Sequence, residues 1–353
     1  MPFRPAEPSD AGAWQQLLER TPAGDFLHDW EWAPVAAFDG QPQHRFVLEQ
    51  DGGLTALVAA QERRLGFGRV FWYVPHGPVL DYAATGAADR LAALLEGLRA
   101  AARAARAIVV RLEPRLESAS AEARLFDAAG LRRVGGHLQV GHTRLVELAG
   151  DDELLASFDK DTRYSIRRSE REGVTVRMTA DPANLEAIDG LYEMTKITQR
   201  RAHFPPRPRA RYELVWQQLA GAGRAHILEA RRGDDLLASA MLVIEGDRSY
   251  YYLAGSRREE PGAAKLFASY LLQWELMRRA RARGAREHDL WGIAPPGAGP
   301  EHPWSGVGHF KRGFGGREVE WAGMWDLVVD PLAYWLRAAA HPLLALARRV
   351  RGG

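Results

Sequence analysis

The segment from Gly308 to Gly316 has residue types that could act on a carbonyl compound or a phosphate. It reads GHFKRGFGG, so Lys311 follows Phe310 and precedes three glycines. A lysine ammonium can donate to a developing oxyanion or to phosphate, and glycines let a backbone approach a ligand closely. The segment is not a P-loop, which requires G-x-x-x-x-G-K-[ST]. Lys311 is a candidate catalytic residue; a helix end followed by a turn is the alternative interpretation.

A second segment, Tyr73 to Asp81, places polar groups after an aromatic strand. Two prolines and a glycine in YVPHGPVLD force a shaped turn. That turn presents His76 and Asp81 at a strand end, where functional loops often lie. The alternative is a tight turn in which Asp81 caps the next segment.

Two basic segments could bind phosphate or RNA. Lys160, Arg163, Arg167 and Arg171 fall on one face of a predicted helix, a stripe that suits phosphate groups. The 200–211 segment has prolines, one phenylalanine, no acidic residue and five arginines, which are Arg200, Arg201, Arg207, Arg209 and Arg211. Such a loop could contact an RNA backbone and stack on a base. A solvated helix face and a solvated loop are the alternatives.

Composition excludes several classes of function. The 353 residues are 46% hydrophobic and 26% charged, with a net charge of +2, so a globally basic nucleic-acid binder is not indicated. Without cysteine there are no disulfides, thiol catalysis, zinc–thiolate sites or iron–sulfur clusters. The histidines lack metal-ligand spacing, and H-E-x-x-H, G-x-S-x-G and G-x-G-x-x-G are absent. We expect a cytoplasmic protein with no metal, secretory signal or membrane span.

The elements that must position these residues alternate between helix and strand, which predicts a mixed α/β architecture. Strands at 44–50 and 54–64, joined by a Gly/Asp turn, resemble strands at 225–232 and 236–246. In each half another strand, a long helix and a strand follow. A repeat offset of about 180 residues indicates tandem domains rather than a solenoid. We expect domains at 1–149 and 150–330, then a basic amphipathic helix at 331–353 that could rest on an anionic membrane or pack on the domain.

Seven segments together resemble the Fem family of peptidoglycan-bridge aminoacyltransferases. They occur in the family's order along most of the chain: Trp30–Trp32, Tyr73–Asp81, Arg163–Val174, Tyr250–Ser256, Leu272–Glu275, Asp289–Ile293 and Phe310–Gly316. The resemblance implies an α+β chain of two tandem GNAT-like domains, without the long helical arm of some members. It also implies transfer of glycine, alanine or serine from aminoacyl-tRNA to an amino group of a peptidoglycan precursor, with no cofactor. The precursor would be UDP-MurNAc-pentapeptide or lipid II.

The resemblance also implies roles for particular residues. Lys311 matches the family's lysine near the tRNA ester, and Asp81 matches an aspartate considered as base or substrate orienter. Precursor binding would involve six residues: Arg163, Arg167, Tyr252, His76, Phe310 and Trp32. The basic 200–211 segment would contact tRNA through Arg200, Arg201, Arg207 and Arg209. The protein would then work in the cytoplasm, at the inner face of the membrane if its acceptor is lipid-linked.

Two departures and two alternatives accompany this interpretation. The family more often has arginine where His76 stands, and Ala33-Pro34-Val35 replaces expected basic residues. One alternative is a GNAT-like N-acyltransferase that uses acyl-CoA. Residues 258–264 are one residue too long for the CoA loop [RQ]-x-x-G-x-[GA] and contain a proline, which disfavours this activity. The other alternative is a non-catalytic factor that binds RNA or a membrane surface.

Overall fold

The computed structural model describes residues 1–202, 207–257, 265–299, 301–302 and 304–339. Its strands are β1 (Phe3–Pro5), β2 (Gln43–Gln50), β3 (Gly53–Arg64), β4 (Val70–Pro75), β5 (Val79–Leu80), β6 (Ala107–Glu113), β7 (Arg132–Val134), β8 (His142–Glu147), β9 (Thr175–Thr179), β10 (Ala225–Arg232), β11 (Asp235–Glu245), β12 (Arg248–Ser256), β13 (Glu287–Asp289), β14 (Arg317–Glu320) and β15 (Met324–Val328). Its helices are α1 (Ala11–Arg20), α2 (Ala33–Phe38), α3 (Ala87–Ala104), α4 (Arg124–Ala128), α5 (Asp151–Ser157), α6 (Lys160–Arg171), α7 (Leu185–Ala202), α8 (Arg209–Gly221), α9 (Ala268–Arg281) and α10 (Ser305–Arg312). A further helical stretch, here called the C-terminal helix, covers 331–339.

The chain forms two compact units. The first contains residues 1–30, 39–139 and the chain from 322 onward; the second contains 31–38 and 140–321. The first unit's sheet has the order β1-β2-β3-β4-β6-β15-β7, with β5 also paired to β3. Within it, β4 and β6 are parallel. The apolar face of α3 packs with these strands in one buried core.

The second unit's sheet has the order β14-β8-β13-β12-β11-β10-β9. Here β12 and β13 are the parallel pair. Residues of α9 and of the central strands share a second core. Each unit thus contains an antiparallel hairpin, and a helix and a parallel strand follow it along the chain. The predicted mixed α/β tandem fold is confirmed.

The hairpin turns follow from local chemistry. Between β2 and β3, Asp51 and Gly52 have φ values of 52° and 78°. Two successive positive φ angles match the twist of paired strands, and Asp-Gly is a preferred pair for such turns. The corresponding turn between β10 and β11 contains Gly233 at φ 58°. These turns set the register in which the strands of each hairpin pair.

Several predicted elements lie elsewhere or differ in length. β8, expected to end the first domain, pairs with β13 and β14 of the second sheet. β15, placed by the sequence in the second domain, pairs with β6 and β7 of the first sheet. The strand expected at 285–293 is only Glu287–Asp289, and the helix expected at 119–128 begins at Arg124. Of the predicted tail helix, 331–339 is helical and the rest is outside the described residues.

The described residues contain neither a membrane-spanning helix nor a metal-binding cluster. Within those ranges, no helix is long and apolar enough to cross a bilayer. The same residues contain no group of three or more His, Asp or Glu side chains arranged to hold a metal ion.

Candidate active site

In the second unit, the parallel strands β12 and β13 separate at a point where several polar side chains lie close together. β13 pairs with β12 from Glu287 to Asp289 and then ends. The chain after it stays with β8, since the backbone N–H of Leu290 donates to the Arg144 carbonyl at 2.9 Å. Meanwhile β12 continues to Ser256 beside β11. The sheet therefore opens beside Tyr251 and Tyr252, a place where a ligand can meet the backbone of β12.

Lys311, near the end of α10, is the buried cation at this opening. Its side chain is 5% exposed, and Nζ donates to the Gly292 carbonyl at 2.8 Å. Nζ also lies 5.8 Å from the centroid of the Tyr251 ring, within the range of a cation–π attraction. Burial lowers the pKa of Lys311 to about 7, although the charge of Asp289 opposes that shift. At neutral pH this amine is thus poised between donating and accepting a proton.

Asp289 fixes the backbone that receives Lys311. Its Oδ1 accepts a hydrogen bond from the Thr143 hydroxyl and another, at 2.8 Å, from the Trp291 backbone N–H. Trp291 has a φ of 62°, a conformation that is uncommon for a bulky residue. The carboxylate therefore holds a strained turn, and that turn points the Gly292 carbonyl at the lysine.

A series of hydrogen-bonded, uncharged side chains centres on His288 of β13. His288 is fully buried and its Nδ1 is hydrogen bonded to the Ser249 hydroxyl at 2.8 Å. Its Nε2 is 2.9 Å from the Gln273 amide nitrogen. Burial, with the charge of Lys311, lowers the pKa of His288 to about 3. The imidazole is therefore uncharged at neutral pH and adds no second cation beside Lys311.

Aromatic side chains line the other part of the opening. Tyr252 is the extra residue of a β-bulge in β12, a feature that commonly re-aims a side chain next to a functional site. Its ring meets those of Trp32 and Trp291 edge to face, with centroids 6.0 and 5.9 Å away. Its hydroxyl is 3.5 Å from Nη1 of Arg211, which is 8% exposed. Two predicted residues, Tyr252 and Trp32, are thus together with a buried arginine.

The glycines after Lys311 serve internal packing. Added Cβ atoms would overlap the Thr162 hydroxyl at Gly313 and the Leu145 carbonyl oxygen at Gly316. These glycines bring the chain close to α6 and β8, which corrects the expectation that they approach a ligand. Phe310 likewise packs edge to face on Tyr270, with the centroids 5.0 Å apart.

The basic stripe of α6 is helical as predicted, but its members differ. Arg163 donates to the carbonyls of Ala156 and Phe158, so it holds the end of α5. Arg167 is exposed on the same helix. Arg163 is therefore already engaged with backbone, whereas Arg167 is presented to solvent.

The 200–211 segment is partly helical, and acidic side chains neutralise part of its positive charge. α7 extends to Ala202 and therefore includes Arg200 and Arg201, contrary to the expected loop. Arg209 begins α8 and forms ion pairs with Asp189 at 2.5 Å and Glu213 at 2.6 Å. Arg207 is exposed. Residues 203–206 lie outside the described residues.

The first unit holds the two remaining predicted residues. His76 is 2% exposed and its Nδ1 is 2.9 Å from Oδ2 of Asp25. Burial would raise the pKa of Asp25, but the charges of His76 and Arg115 and hydrogen bonding hold it below its ordinary value. Asp81 is exposed and accepts from the backbone N–H groups of Ala83 and Ala84, at 3.1 and 3.2 Å. Asp81 thus caps the following turn, and the buried carboxylate facing His76 is Asp25.

Three residues of this site were assigned no role from the sequence. Asp289 begins one of the segments that resemble the Fem family, but its hydrogen bond from Thr143 arises only because β8 runs beside β13. Arg211 belonged to the basic 200–211 segment but was not selected as a site residue. Its position in the helix could have identified Arg211, because it lies on the buried face of α8 with Tyr212 and Val215.

Known proteins resemble this chain in sequence and in fold. Residues 156–312 match a family model described as an acetyltransferase (GNAT) domain. A lipid II:glycine glycyltransferase of Staphylococcus haemolyticus (strain JCSC1435) is 24% identical, over 94% of each chain. A crystal structure of FemX aligns with a TM-score of 0.85 and 20% identity, covering 95% of this chain and 99% of that one. A tandem GNAT protein from the clavulanic acid biosynthesis pathway aligns with a TM-score of 0.52 and 13% identity, covering 94% and 99%.

Full-length homology to these glycyltransferases, the GNAT-domain match and the shared fold agree with the ordered motifs. The relative and the FemX structure match nearly end to end, so the likeness includes both units. This chain has the tandem GNAT-like fold of the FemX structure and resembles the Fem family along nearly its whole length.

Proposed function

We propose that this protein transfers an amino acid, glycine, alanine or serine, from aminoacyl-tRNA to an amino group of a peptidoglycan precursor. The observation that carries the proposal is Lys311, a buried amine with a pKa of about 7 beside the parted strands. The name of the staphylococcal relatives, lipid II:glycine glycyltransferase, supports this acceptor class and favours glycine within that range. UDP-MurNAc-pentapeptide and lipid II are the two acceptor forms to compare.

The residues suit the chemistry of an activated ester. The acceptor nitrogen forms a bond to the ester carbonyl carbon, the bond to the tRNA ribose oxygen breaks, and that oxygen leaves as a hydroxyl. In its ammonium form Lys311 would donate to the developing oxyanion or to the leaving oxygen. Burial strengthens such a donor because little water competes with it. This route uses no resident cofactor.

The attacking ammonium must first lose a proton. Asp81 is the accessible candidate base, since it is exposed to solvent. His76 is buried against Asp25, which suits a positioning role better than proton exchange with a substrate. We expect Asp81→Asn to lower the transfer rate by about tenfold or more. An unchanged rate in this variant would assign proton removal to another group, such as the substrate itself.

Substrate contacts form the next part of the proposal. Tyr252 and Trp32, with Arg211, would hold the phosphate-bearing precursor, because a buried arginine beside aromatic rings suits a sugar–phosphate group. Arg167 is the exposed candidate on α6, and Arg163 would act through α5. Phe310 would act by holding α10, which bears Lys311.

For tRNA contact we propose the arginines around the start of α8, together with the end of α7. These are Arg200, Arg201, Arg207 and Arg209. We expect Arg207→Glu to weaken tRNA binding, because a reversed charge in this basic segment would repel the phosphate backbone. We also propose that the protein works in the cytoplasm and makes peripheral contact with the membrane when its acceptor is lipid-linked.

The test is a transfer assay with the full chain. Purified protein is incubated with charged tRNA carrying labelled glycine, alanine or serine and with each acceptor form, and mass spectrometry measures the acceptor. A mass gain equal to one aminoacyl residue is expected. Lys311→Ala should reduce it by a factor of about 100 or more, whereas Lys196→Ala, which alters a lysine paired with Glu193, should not.

A second candidate function is N-acyl transfer from acyl-CoA. It rests on the match of residues 156–312 to the acetyltransferase (GNAT) domain. The loop that would meet the CoA pyrophosphate, 258–264, lies outside the described residues. Calorimetry with acetyl-CoA separates the two functions: heat of binding together with acetyl transfer to an amine would replace the aminoacyl-tRNA proposal.

A further inference from the structure

Two segments of the first unit expose large apolar side chains. Phe67, in the loop between β3 and β4, is fully exposed, with a φ of 60°. The C-terminal helix exposes Leu332, Trp335 and Leu336, at 73%, 54% and 63%. Large apolar side chains in such a cluster on a soluble protein commonly mark an interaction site.

An ion pair joins the two segments. Arg69, two residues after Phe67, has Nη2 2.7 Å from Oδ2 of Asp330, two residues before Leu332. Asp330 also accepts from the Ala333 backbone N–H at 3.0 Å and so caps the C-terminal helix. The Phe67 loop and the first turn of that helix therefore meet at one point.

The helix is held with its apolar residues outward. The Tyr334 hydroxyl donates to Oδ2 of Asp326 on β15 at 2.9 Å, which fixes the inner face. Positions 332, 335 and 336 share one face of a helix, and position 334 lies on another. The exposed apolar row is thus a fixed feature of the first unit rather than a frayed end.

Arginines surround the apolar side chains. The Arg132 guanidinium lies 4.2 Å from the Trp335 ring centroid. Arg106 lies against Gly68, beside Phe67, and Arg337 is exposed on the C-terminal helix. Among the residues that the structure describes, the ion pairs involve none of these three arginines. Besides Arg337, the sequence after Asp330 has three more arginines and no acidic residue.

We propose that Phe67, Leu332, Trp335, Leu336, Arg106, Arg132 and Arg337 form a membrane-docking surface for an anionic lipid bilayer. Apolar side chains can enter the headgroup boundary while arginines meet lipid phosphates. RNA would match the arginines but would leave the leucines in water. The choice of a bilayer rests on the proposed function, whose lipid-linked acceptor is embedded in one.

The experiment measures sedimentation of the full-length protein with vesicles. One vesicle is phosphatidylcholine alone, and the other contains about one third phosphatidylglycerol. We expect the protein to sediment with the anionic vesicles, to stay in solution with the neutral ones, and to be released by salt. Sedimentation with neither vesicle would overturn the proposal.

Paired variants locate the surface. Phe67→Ser with Trp335→Ser should weaken anionic-vesicle binding by about tenfold or more, while Leu185→Ser, at an exposed leucine of the second unit, should not. Arg337→Glu should weaken it at least about fivefold, in contrast to Arg232→Glu at an exposed position of β10. Equal binding by the wild-type protein and the double variant would place the contact elsewhere and refute this surface.

Transfer assays with soluble and lipid-linked acceptors distinguish failure of the proposed surface from failure of the proposed function. The double variant should retain wild-type transfer to the soluble acceptor and lose transfer to the lipid-linked acceptor in vesicles. Vesicle binding without any transfer would contradict the proposed function and leave the surface standing. Transfer to a lipid-linked acceptor in vesicles that is unchanged in the double variant would reject the surface. Variants that lose tRNA binding but keep vesicle binding would assign the surface to RNA instead.

Discussion

The buried charge of Lys311 destabilises the folded protein, whereas its ammonium group can donate a hydrogen bond in the transfer reaction. The effect of the charge on stability can be isolated by varying the pH. Burial lowers its pKa in the folded protein to about 7, from about 10.5 in the unfolded chain. Between these values the unfolded chain binds a proton that the folded protein does not bind, so stability rises with pH across this window. Below about pH 7 the folded protein must hold the buried charge, and the penalty is fully present.

We therefore expect Lys311→Met to raise the free energy of unfolding by about 1–3 kcal/mol at pH 6.5 while transfer is lost. The gain should shrink as the pH approaches 10. Urea unfolding of both proteins at several pH values measures it. Lys196→Met is the matched control and should show no such pH-dependent difference. Destabilisation by Lys311→Met at every pH would mean that packing and the bond to Gly292 outweigh the burial of charge.

Asp289 sets the pH range in which Lys311 is protonated. Its negative charge raises the pKa of Lys311, so Asp289→Asn should lower that pKa further. If transfer requires the ammonium form, the alkaline limb of the rate profile should move to lower pH in this variant.

Thr143→Val is the control for Asp289→Asn. It removes a hydrogen-bond donor to the carboxylate but keeps the carboxylate's charge. The measurement is transfer rate against pH for the three proteins. An equal displacement of the limb in both variants would show that geometry, rather than charge, is responsible.

From sequence alone, a functional residue could be predicted where its residue type and its immediate neighbours already indicate its chemistry. Lys311 is recognisable because few lysines occur and its neighbours form a motif. Asp289 and Gly292 fall in a segment that resembles the family, but their contacts depend on where β13 ends and on which strand runs beside it. For His76, the turn was predicted, but its buried partner Asp25 is 51 residues away and carries no local signal.

At the scale of elements, the turn after α10 is set by glycine. Gly316 has a φ of 73°, and an added Cβ would overlap the Leu145 carbonyl oxygen of β8. We expect Gly316→Ala to lower the free energy of unfolding by about 3 kcal/mol. Gly173, at φ 79° with open space around it, is the control, and Gly173→Ala should cost about 1 kcal/mol.

Chemical denaturation of both variants measures these costs. Equal losses would mean that backbone conformation accounts for the whole effect and that the approach of β14 to β8 is not tight. A larger loss for Gly316→Ala would also predict lower transfer activity, since the same turn follows Lys311.

Elements with strong local signals were predictable. The hairpins β2–β3 and β10–β11 carry alternating or apolar runs with Asp-Gly or Gly-Asp turns, and each was expected within one residue of its observed ends. Short strands were not found, because β1, β7, β9 and β14 contain five or fewer residues. Pairing partners were hardest: β8 and β15 look like any apolar strand, and only tertiary contacts decide which sheet they join.

For the whole molecule, the crossing of β15 means that the first unit is not a continuous stretch of chain. β15 lies between β6 and β7, and Trp325 is fully buried in the core with Phe126, at a centroid distance of 5.0 Å. A chain cut at the repeat boundary expected from sequence would therefore lack an internal strand. The proposed domain limits of 1–149 and 150–330 are best tested as fragments on this basis.

We expect truncation after Trp321 to abolish cooperative folding of the first unit, because it exposes the edges of β6 and β7 and removes Trp325 and Leu327 from the core. Truncation after residue 339 keeps β15 and is the matched control. Hydrogen exchange at the amides of β6 measures the difference: protection should be lost in the shorter chain and kept in the longer one. Retained protection in the shorter chain would show that the first unit folds without β15.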